Sequence, residues 1–491
     1  MRLSRSGEDV DNPTASLRDV DADLLRKYPA RYSDLTVTQQ YGIPYETVMD
    51  IQLAVLRERF DTLVHKVPVL AKLAESQGIG AIDDIPGAAP LLFPHSIYKS
   101  YPLSLLEKSR FDLLTKWLGT LTSVDLSGVD VSGCVGIDGW LDVMDSKTEL
   151  RIKHSSGTTG KLSFVPRTLA ETEATAKGWR RSFEGFGDEA HANSLAGFED
   201  LQVLLVGYRK GALAYPRMMD AAVHWLYGGD ESKVMASNPG RMSADVLSLG
   251  GRLKAAQDKG ELGQLQVSPA LLARRAAFVQ EQKAAPQRLK AFFDDIVQRY
   301  RGRRVIIVGS PPAVYDLAIE ARKAGLTGLF TPDTLASIGG GAKGRVFEED
   351  YKKVICRFIG MEEYPLDGFG MSEMCLGSSR MCPLGNIHPL PNLIPYLLDH
   401  KTGGLLPRKG TQTGRYGWFD LAIQTHWGGL LSGDRVTMTW DEPCACGRAG
   451  PVIYSEIRRF TEIEGNDDKI TCAGAIDAHD KALEFIAQQL G

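Results

Sequence analysis

The chain reads as an α/β protein with a large first lobe and a smaller β-rich lobe near its end. Three observations predict this. Two continuous apolar runs, LQVLLVG at Leu201–Gly207 and RVIIVG at Arg304–Gly309, have the composition of strands buried on both faces. The second run passes through Ser-Pro-Pro into a helical stretch over about 313–324. A strand-like piece then runs from Leu329 to the glycines Gly339, Gly340 and Gly341, which is the strand–turn–helix–strand order of an α/β sheet. From Gly414 to Ile453 the pattern changes to short alternating runs, as in antiparallel strands.

The other elements follow in order. Residues 1–20 are polar and charged and read as a flexible N-terminus. Val48, Ile51, Leu53, Val55 and Leu56 recur at helical spacing between Pro44 and Gly78. Ile85–Pro102 is broken by prolines, as in a surface loop, and 105–119 reads as a further helix. Leu150–Lys153 is extended, and 242–300 is mostly helical with an apolar and a charged face. The expected organisation is a main α/β body over 21–410, a β-rich lobe over 411–464, and a short terminal segment over 465–491 with a helix at Asp480–Leu490.

Composition narrows the function classes. A chain of 491 residues exceeds one compact core, so lobes are expected. A net charge of −4 provides no global basic field for nucleic acid or an anionic membrane. The N-terminus lacks the apolar core of a signal peptide and no apolar run reaches the length of a membrane span, so a cytoplasmic enzyme is expected. Seven cysteines in so long a chain make no disulfide framework.

Three segments carry phosphate and nucleotide chemistry. In Ser155-Ser156-Gly157-Thr158-Thr159-Gly160-Lys161, close glycines let backbone N–H groups approach phosphate oxygens, hydroxyls donate further bonds, and Lys161 adds a point charge. Two residues, not four, separate its glycines, and Leu162 follows the lysine, so it is not a Walker A loop. Asp367-Gly-Phe369-Gly370-Met371-Ser372-Glu373 places a carboxylate just past a glycine turn, where a hard cation bound to phosphate needs an oxygen ligand. Leu431-Ser-Gly-Asp434 offers a carboxylate that can accept two hydrogen bonds from ribose hydroxyls. Each segment taken alone also reads as an ordinary turn.

A fourth constellation is metal-like. Cys382-x5-His388 and Cys444-x-Cys446 offer three thiolates and one imidazole, the set for a closed tetrahedral zinc site, in Gly- and Pro-punctuated loops. Cys375 is an alternative ligand, and four unrelated buried residues are the plain alternative.

Together and in this order, the three segments resemble the adenylate-forming superfamily of acyl-CoA synthetases, luciferases and peptide-synthetase adenylation domains, over roughly residues 45–475. The CxCGR segment and the Cys/His pair upstream of it resemble the phenylacetate–CoA ligase and acyl-protein synthetase branch. The resemblance implies that Ser155 to Gly160 and Lys161 grip ATP phosphates, Glu373 binds Mg²⁺ and Asp434 holds the ribose. Gly339 to Gly341 and Phe369 to Ser372 border the nucleotide, and Zn²⁺ is structural.

Two departures stand out. The family's proline before the phosphate-loop lysine is missing, and Glu464-Gly-Asn-Asp467-Asp468 lacks the arginine of the family's hinge. Only 21 residues follow Ile470, so the family's mobile C-terminal domain is expected to be absent. Its catalytic lysine would then be replaced by main-body charges, Lys161 with Lys343 or Arg345, or by a lid from a partner protein or a second subunit of a homodimer.

The expected reaction is adenylation of a small-molecule carboxylic acid with release of pyrophosphate, then transfer to CoA, a carrier thiol or an amine. Two alternatives remain: adenylation of an unusual nucleophile such as nitrite for diazo formation on an aromatic amine, and a catalytically inactive nucleotide-binding protein. Arg209, Tyr215, Arg217, His224, Trp225 and the turn at Ser310 are candidates for the acid pocket.

Overall fold

A computed structural model describes residues 21–155, 161–186, 195–260, 275–341, 345–366, 368–460 and 463. Among these residues no helix is long and apolar enough to cross a membrane. The fold is a mixed α/β arrangement of three sheets flanked by helices.

The first two buried-strand runs become neighbours. Strands β4 (Gln202–Lys210), β5 (Val234–Arg241), β6 (Val305–Gly309) and β7 (Leu335–Ile338) form a four-stranded parallel sheet in the order β5-β4-β6-β7. The two-residue period of a strand divides its side chains between two cores. Leu204, Val206, Val305 and Ile307 pack with the helices Pro311–Lys323, Arg275–Tyr300 and Tyr351–Ile359. Val203, Leu205, Ile306 and Val308 pack on the opposite face with the helix Ala214–Trp225. Burial on both faces is why these strands read as unbroken apolar runs. The Pro311–Lys323 helix starts two residues before the expected 313, because both prolines belong to its first turn and Ser310 Oγ accepts from Ala313 N at 3.4 Å.

The second sheet is larger and, apart from a short parallel pairing of Phe93–Pro94, antiparallel. Its path is β11 (Leu393–Leu398), β12 (Thr411–Asp420), β13 (Gly429–Thr439), β14 (Val452–Tyr454), β10 (Asn386–His388), β9 (Ser379–Met381) and β8 (Gly368–Phe369). Two short strands, β1 (Phe93–Pro94) and β15 (Arg458–Arg459), add to β13. The sheet thus draws in strands from residue 368 onward, upstream of residue 411. Its core holds Tyr396, Trp418, Phe419 and Trp427 and is closed by Ile51, Val55, Leu56 and Phe60 of the helix Tyr45–Leu63. The third sheet is a hairpin of β2 (Lys153–His154) and β3 (Phe164–Val165).

The helical reading of 105–119 is corrected in one place. The chain forms Ser104–Glu107 and then Phe111–Gly119, and Ser109 between them has φ 50°. A left-handed residue cannot continue an α-helix, so the apolar periodicity crosses a break that it does not reveal.

The helix Leu169–Arg181 ties the sheets together. Thr168 and Glu171 form a capping box: Thr168 N donates to Glu171 Oε2 at 2.9 Å and Glu171 N to Thr168 Oγ1 at 3.2 Å. The other carboxylate oxygen, Oε1, accepts from Gln424 N at 2.7 Å and from Thr425 N at 3.1 Å, in the turn that leads into β13. One turn on, Thr175 Oγ1 donates to Cys375 O at 2.7 Å. At Gly178 the helix meets the 373–376 segment so closely that a Cβ would lie 2.9 Å from the Leu376 carbonyl carbon. Gly178→Ala is therefore expected to lower stability by about 1–3 kcal/mol, the usual cost of overpacking a fixed backbone. Urea unfolding of the variant against the parent chain measures it, and equal midpoints would show that the contact relaxes freely.

Candidate functional site

The site is built on the stems of the β2–β3 hairpin. Ser155 N donates to Ser163 O at 3.1 Å and Ser163 N to Ser155 Oγ at 2.9 Å, closing the base of the phosphate segment. Ser156, Gly157, Thr158, Thr159 and Gly160 lie outside the described residues, as do Lys343 and Asp367. Lys161 is half-buried with its ammonium 4.7 Å from the centre of the Tyr101 ring, and the Tyr101 hydroxyl donates to Leu162 O at 2.8 Å. Burial and then the charge of Lys99 lower the Lys161 pKa.

Beyond β3 the chain delivers Arg167, which is fully buried and donates through Nη2 to the backbone carbonyl of Glu373. Its Nε and Nη1 have no hydrogen-bond partner. The β2–β3 hairpin and the Glu373 turn, more than 200 residues apart in sequence, are thereby fixed to each other. Glu373 is 8% exposed and its Oε2 is buried without a partner among the described residues. Burial raises its pKa, the positive charges of Arg167 and Arg459 oppose that, and the charge of Asp434 adds to it.

Asp434 is itself buried on β13. Its backbone N donates to Ser432 Oγ at 3.0 Å, and its Oδ1 lies 3.7 Å from Arg459 Nε, the residue directly across from it on β15. The charges of Asp434 and Arg459 both act on Glu373, in opposite directions. Arg459 and Arg167 were not anticipated from the sequence. Nothing in a two-residue strand, or in an arginine after a proline, signals such a contact.

The remaining nucleotide candidates have mixed placements. Phe369 belongs to the core, edge-on to Tyr416 at 5.3 Å, and Met371 and Ser372 are partly and fully buried. Gly370 allows close approach of Ser378, whose Cα would be 2.8 Å from an added Cβ. Gly339 N is held by Gly309 O at 3.2 Å and by the Tyr215 hydroxyl at 3.1 Å, so Tyr215 sits where β6 and β7 end. Gly340 and Gly341 follow with φ 101° and 69°. Arg345 pairs with Asp316 at 2.7 Å and lies over the Tyr315 and Phe347 rings, which ties it to the helix Pro311–Lys323.

The expected acid-pocket residues divide too. Arg209 is committed to Asp220 and Glu231, and Arg217 makes a bidentate pair with Asp145 at 2.7 and 2.8 Å. Trp225 Nε1 donates to Thr172 Oγ1 at 3.0 Å. Arg217 and His224 line a cleft of about 450 Å³ with Asp145, Arg151, Asp220 and Glu231. None of Lys161, Glu373 and Asp434 lines it.

The cysteine constellation does converge. Cys382 follows β9, His388 ends β10, and Cys444 and Cys446 lie in the β13–β14 loop. Their ligating atoms all lie within 4.8 Å of one another. Cys382 Sγ is 4.0 Å from Cys444 Sγ, and Cys446 Sγ is 3.3 Å from His388 Nε2. A tetrahedral zinc with bonds of about 2.0–2.3 Å has ligand–ligand edges of about 3.5–3.8 Å, so the set fits a closed site. Each Cys arm turns through a glycine of positive φ, Gly385 at 79° and Gly447 at 83°, whose N–H groups donate to Cys382 O and Cys444 O. Cys375 stands apart, its thiol donating to Glu171 O at 3.5 Å and pushed up to about 12 by burial.

No family model and no curated protein sequence matches the chain. Solved structures similar to it include a 2-hydroxyisobutyryl-CoA ligase in complex with 2-HIB-AMP and CoA, at 16% identity and a TM-score of 0.45 over 87% of this chain and 70% of that one. MatB from Rhodopseudomonas palustris with bound ATP is similar at 15% identity and a TM-score of 0.33, over 65% of this chain and 52% of that one. A luciferase-like enzyme from the nonluminescent Zophobas morio mealworm is similar at 13% identity and a TM-score of 0.32, over 63% and 56%.

Lys153, at the foot of the hairpin, is 5% exposed, and burial followed by the charge of Arg167 lowers its pKa to about 8. The unfolded chain keeps this proton up to about 10.5. Between these values the unfolded state binds more protons, so the Lys153 contribution to stability rises with pH. Lys153→Met is expected to be more stable than the parent at pH 7, and the gap to close by about 3 kcal/mol between pH 8 and pH 10.5. Urea unfolding across that range measures it; a gap constant with pH would mean the ammonium is not desolvated.

Proposed function

We propose that the protein is an adenylate-forming ligase: it transfers AMP from ATP to a small-molecule carboxylic acid and passes the acyl group to a thiol or amine. The observation that carries this reading is the Glu373 carboxylate, buried with Oε2 unpartnered among the described residues, on a turn whose backbone carbonyl is fixed by Arg167, just beyond the β2–β3 hairpin. An ionised carboxylate oxygen buried without a hydrogen-bond partner is costly unless a cation or a proton completes it. A nucleotide-bound Mg²⁺ suits it, through an oxygen ligand, and would supply neutralisation of phosphate charge.

The chain's own residues then have defined tasks. Lys161 and the segment 155–160 hold the phosphates, and Asp434 accepts from the ribose hydroxyls. Gly339 to Gly341, fixed by Tyr215, give the nucleotide a wall of bare backbone. A carboxylate oxygen of the acid attacks the α-phosphorus, an O–P bond forms, and the bond to the leaving pyrophosphate breaks. In the second step the acceptor's sulfur or nitrogen attacks the acyl carbon, AMP leaves, and the acceptor loses its proton. The protein contributes positioning and electrostatic stabilisation. Cys382, His388, Cys444 and Cys446 would hold a structural zinc with no open position, fixing the two loops that end β9 and β13.

Pyrophosphate release over a panel of aliphatic, aryl and amino acids tests the reaction. Release that depends on one acid is expected, and ATP binding without release under every acid would overturn the reading. Lys161→Ala and Glu373→Gln are each expected to slow release by about 10²–10³-fold, with far-UV circular dichroism unchanged. Parental rates in both variants would remove their assigned roles.

A further inference from the structure

Two arginines sit against the Cys/His cluster. Arg380, on β9, lies directly across from His388 on β10. Arg448 follows Cys446 by two residues, is 6% exposed, and its Nε and Nη1 are buried without a hydrogen-bond partner. Its guanidinium lies 5.3 Å from the Tyr41 ring centre and 5.5 Å from that of Phe186. Tyr41 in turn donates to His388 O at 2.9 Å and meets the His388 ring edge-on at 6.0 Å. Burial, followed by the charge of Arg448, lowers the pKa of Arg380. Among the described residues, no carboxylate pairs with either.

Two like charges, one of them buried, without a carboxylate partner among the described residues are unfavourable, and aromatic faces offset only part of that cost. The adjacent cluster supplies what is missing. A divalent ion held by three thiolates and a neutral imidazole carries one net negative charge. We propose that Arg380 and Arg448 are the counter-ions of a negatively charged metal–thiolate cluster, and that their charge, more than their packing, retains the metal. This rests on the reading of Cys382, His388, Cys444 and Cys446 as a metal site. It makes the two arginines positioning residues for the ion, acting through the ligands they flank.

The test separates charge from packing. The parent chain, Arg448→Lys, Arg448→Met and Arg380→Met are purified without added zinc. Metal content is measured by mass spectrometry, and zinc transfer to the chelator 4-(2-pyridylazo)resorcinol is followed with time. The parent is expected to hold about one zinc per chain, and both methionine variants to release it about tenfold faster or more. Arg448→Lys keeps the charge and is expected to stay near the parental rate. Methionine keeps an apolar stem on Tyr41 and Phe186, so a packing role alone would rank Met with or above Lys. A parent that holds zinc while both methionine variants release it at the parental rate overturns the counter-ion inference and leaves the metal site standing. A parent that neither carries nor takes up zinc overturns both. If Arg448→Met does not fold, Arg380→Met, at a half-buried strand position, decides the same question.

Discussion

The carboxylate of Glu171 is the junction on which the site depends. It caps the helix Leu169–Arg181 with one oxygen and holds the Gln424–Thr425 turn with the other. Burial alone would raise its pKa, but the charge of Arg167 and the N–H donors of Gln424 and Thr168 outweigh this and hold it low. A saturated, ionised carboxylate in a low-dielectric interior fixes direction as well as distance. Helix, hairpin and antiparallel sheet therefore meet in one geometry. From that junction Thr175 and Gly178 reach the 373–376 segment, and Arg167 reaches the Glu373 carbonyl.

The consequence is a division between residues that are satisfied and residues that are left open. Both oxygens of Glu171 and of Asp420 accept hydrogen bonds, those of Asp420 from Cys375 N at 2.6 Å, Asn392 Nδ2 at 2.8 Å and Ala422 N at 3.0 Å. Glu373, a few residues away from the same clamp, keeps Oε2 unpartnered. Hydrogen-bonded carboxylates build the frame, and Glu373 is the one left with an open buried oxygen among the described residues. The same contrast separates the arginines: Arg209 and Arg217 are spent on ion pairs, whereas Arg448 retains open donors beside the cysteine cluster.

The cysteine cluster shows how the antiparallel sheet serves the site from its far end. β10 pairs with both β9 and β14, so the Cys382 turn and the Cys444–Cys446 loop are carried on adjacent strands. β13, which leads into that loop, also carries Asp434. An ion bound there would brace the strand that carries Asp434.

By itself the sequence determined the elements whose signal is local. The runs at 201–207 and 304–309 became β4 and β6 because burial on both faces of a parallel strand leaves an uninterrupted apolar string. Ser310 with two prolines fixed a helix start, since a cap and a preset φ act within one turn. The four metal-type ligands were legible because thiol and imidazole spacings in glycine turns are rare and chemically specific. Tertiary structure alone decided the rest. The break at Ser109 is a backbone angle that side-chain periodicity does not encode. The commitment of Arg217 to Asp145, the reach of Arg167 to Glu373, and the pairing of Arg459 with Asp434 join residues far apart in the chain. A charged side chain looks the same in sequence whether solvent, an ion pair or an open site receives it. Only packing, by removing water from some of these groups and partners from others, settles which ones can act.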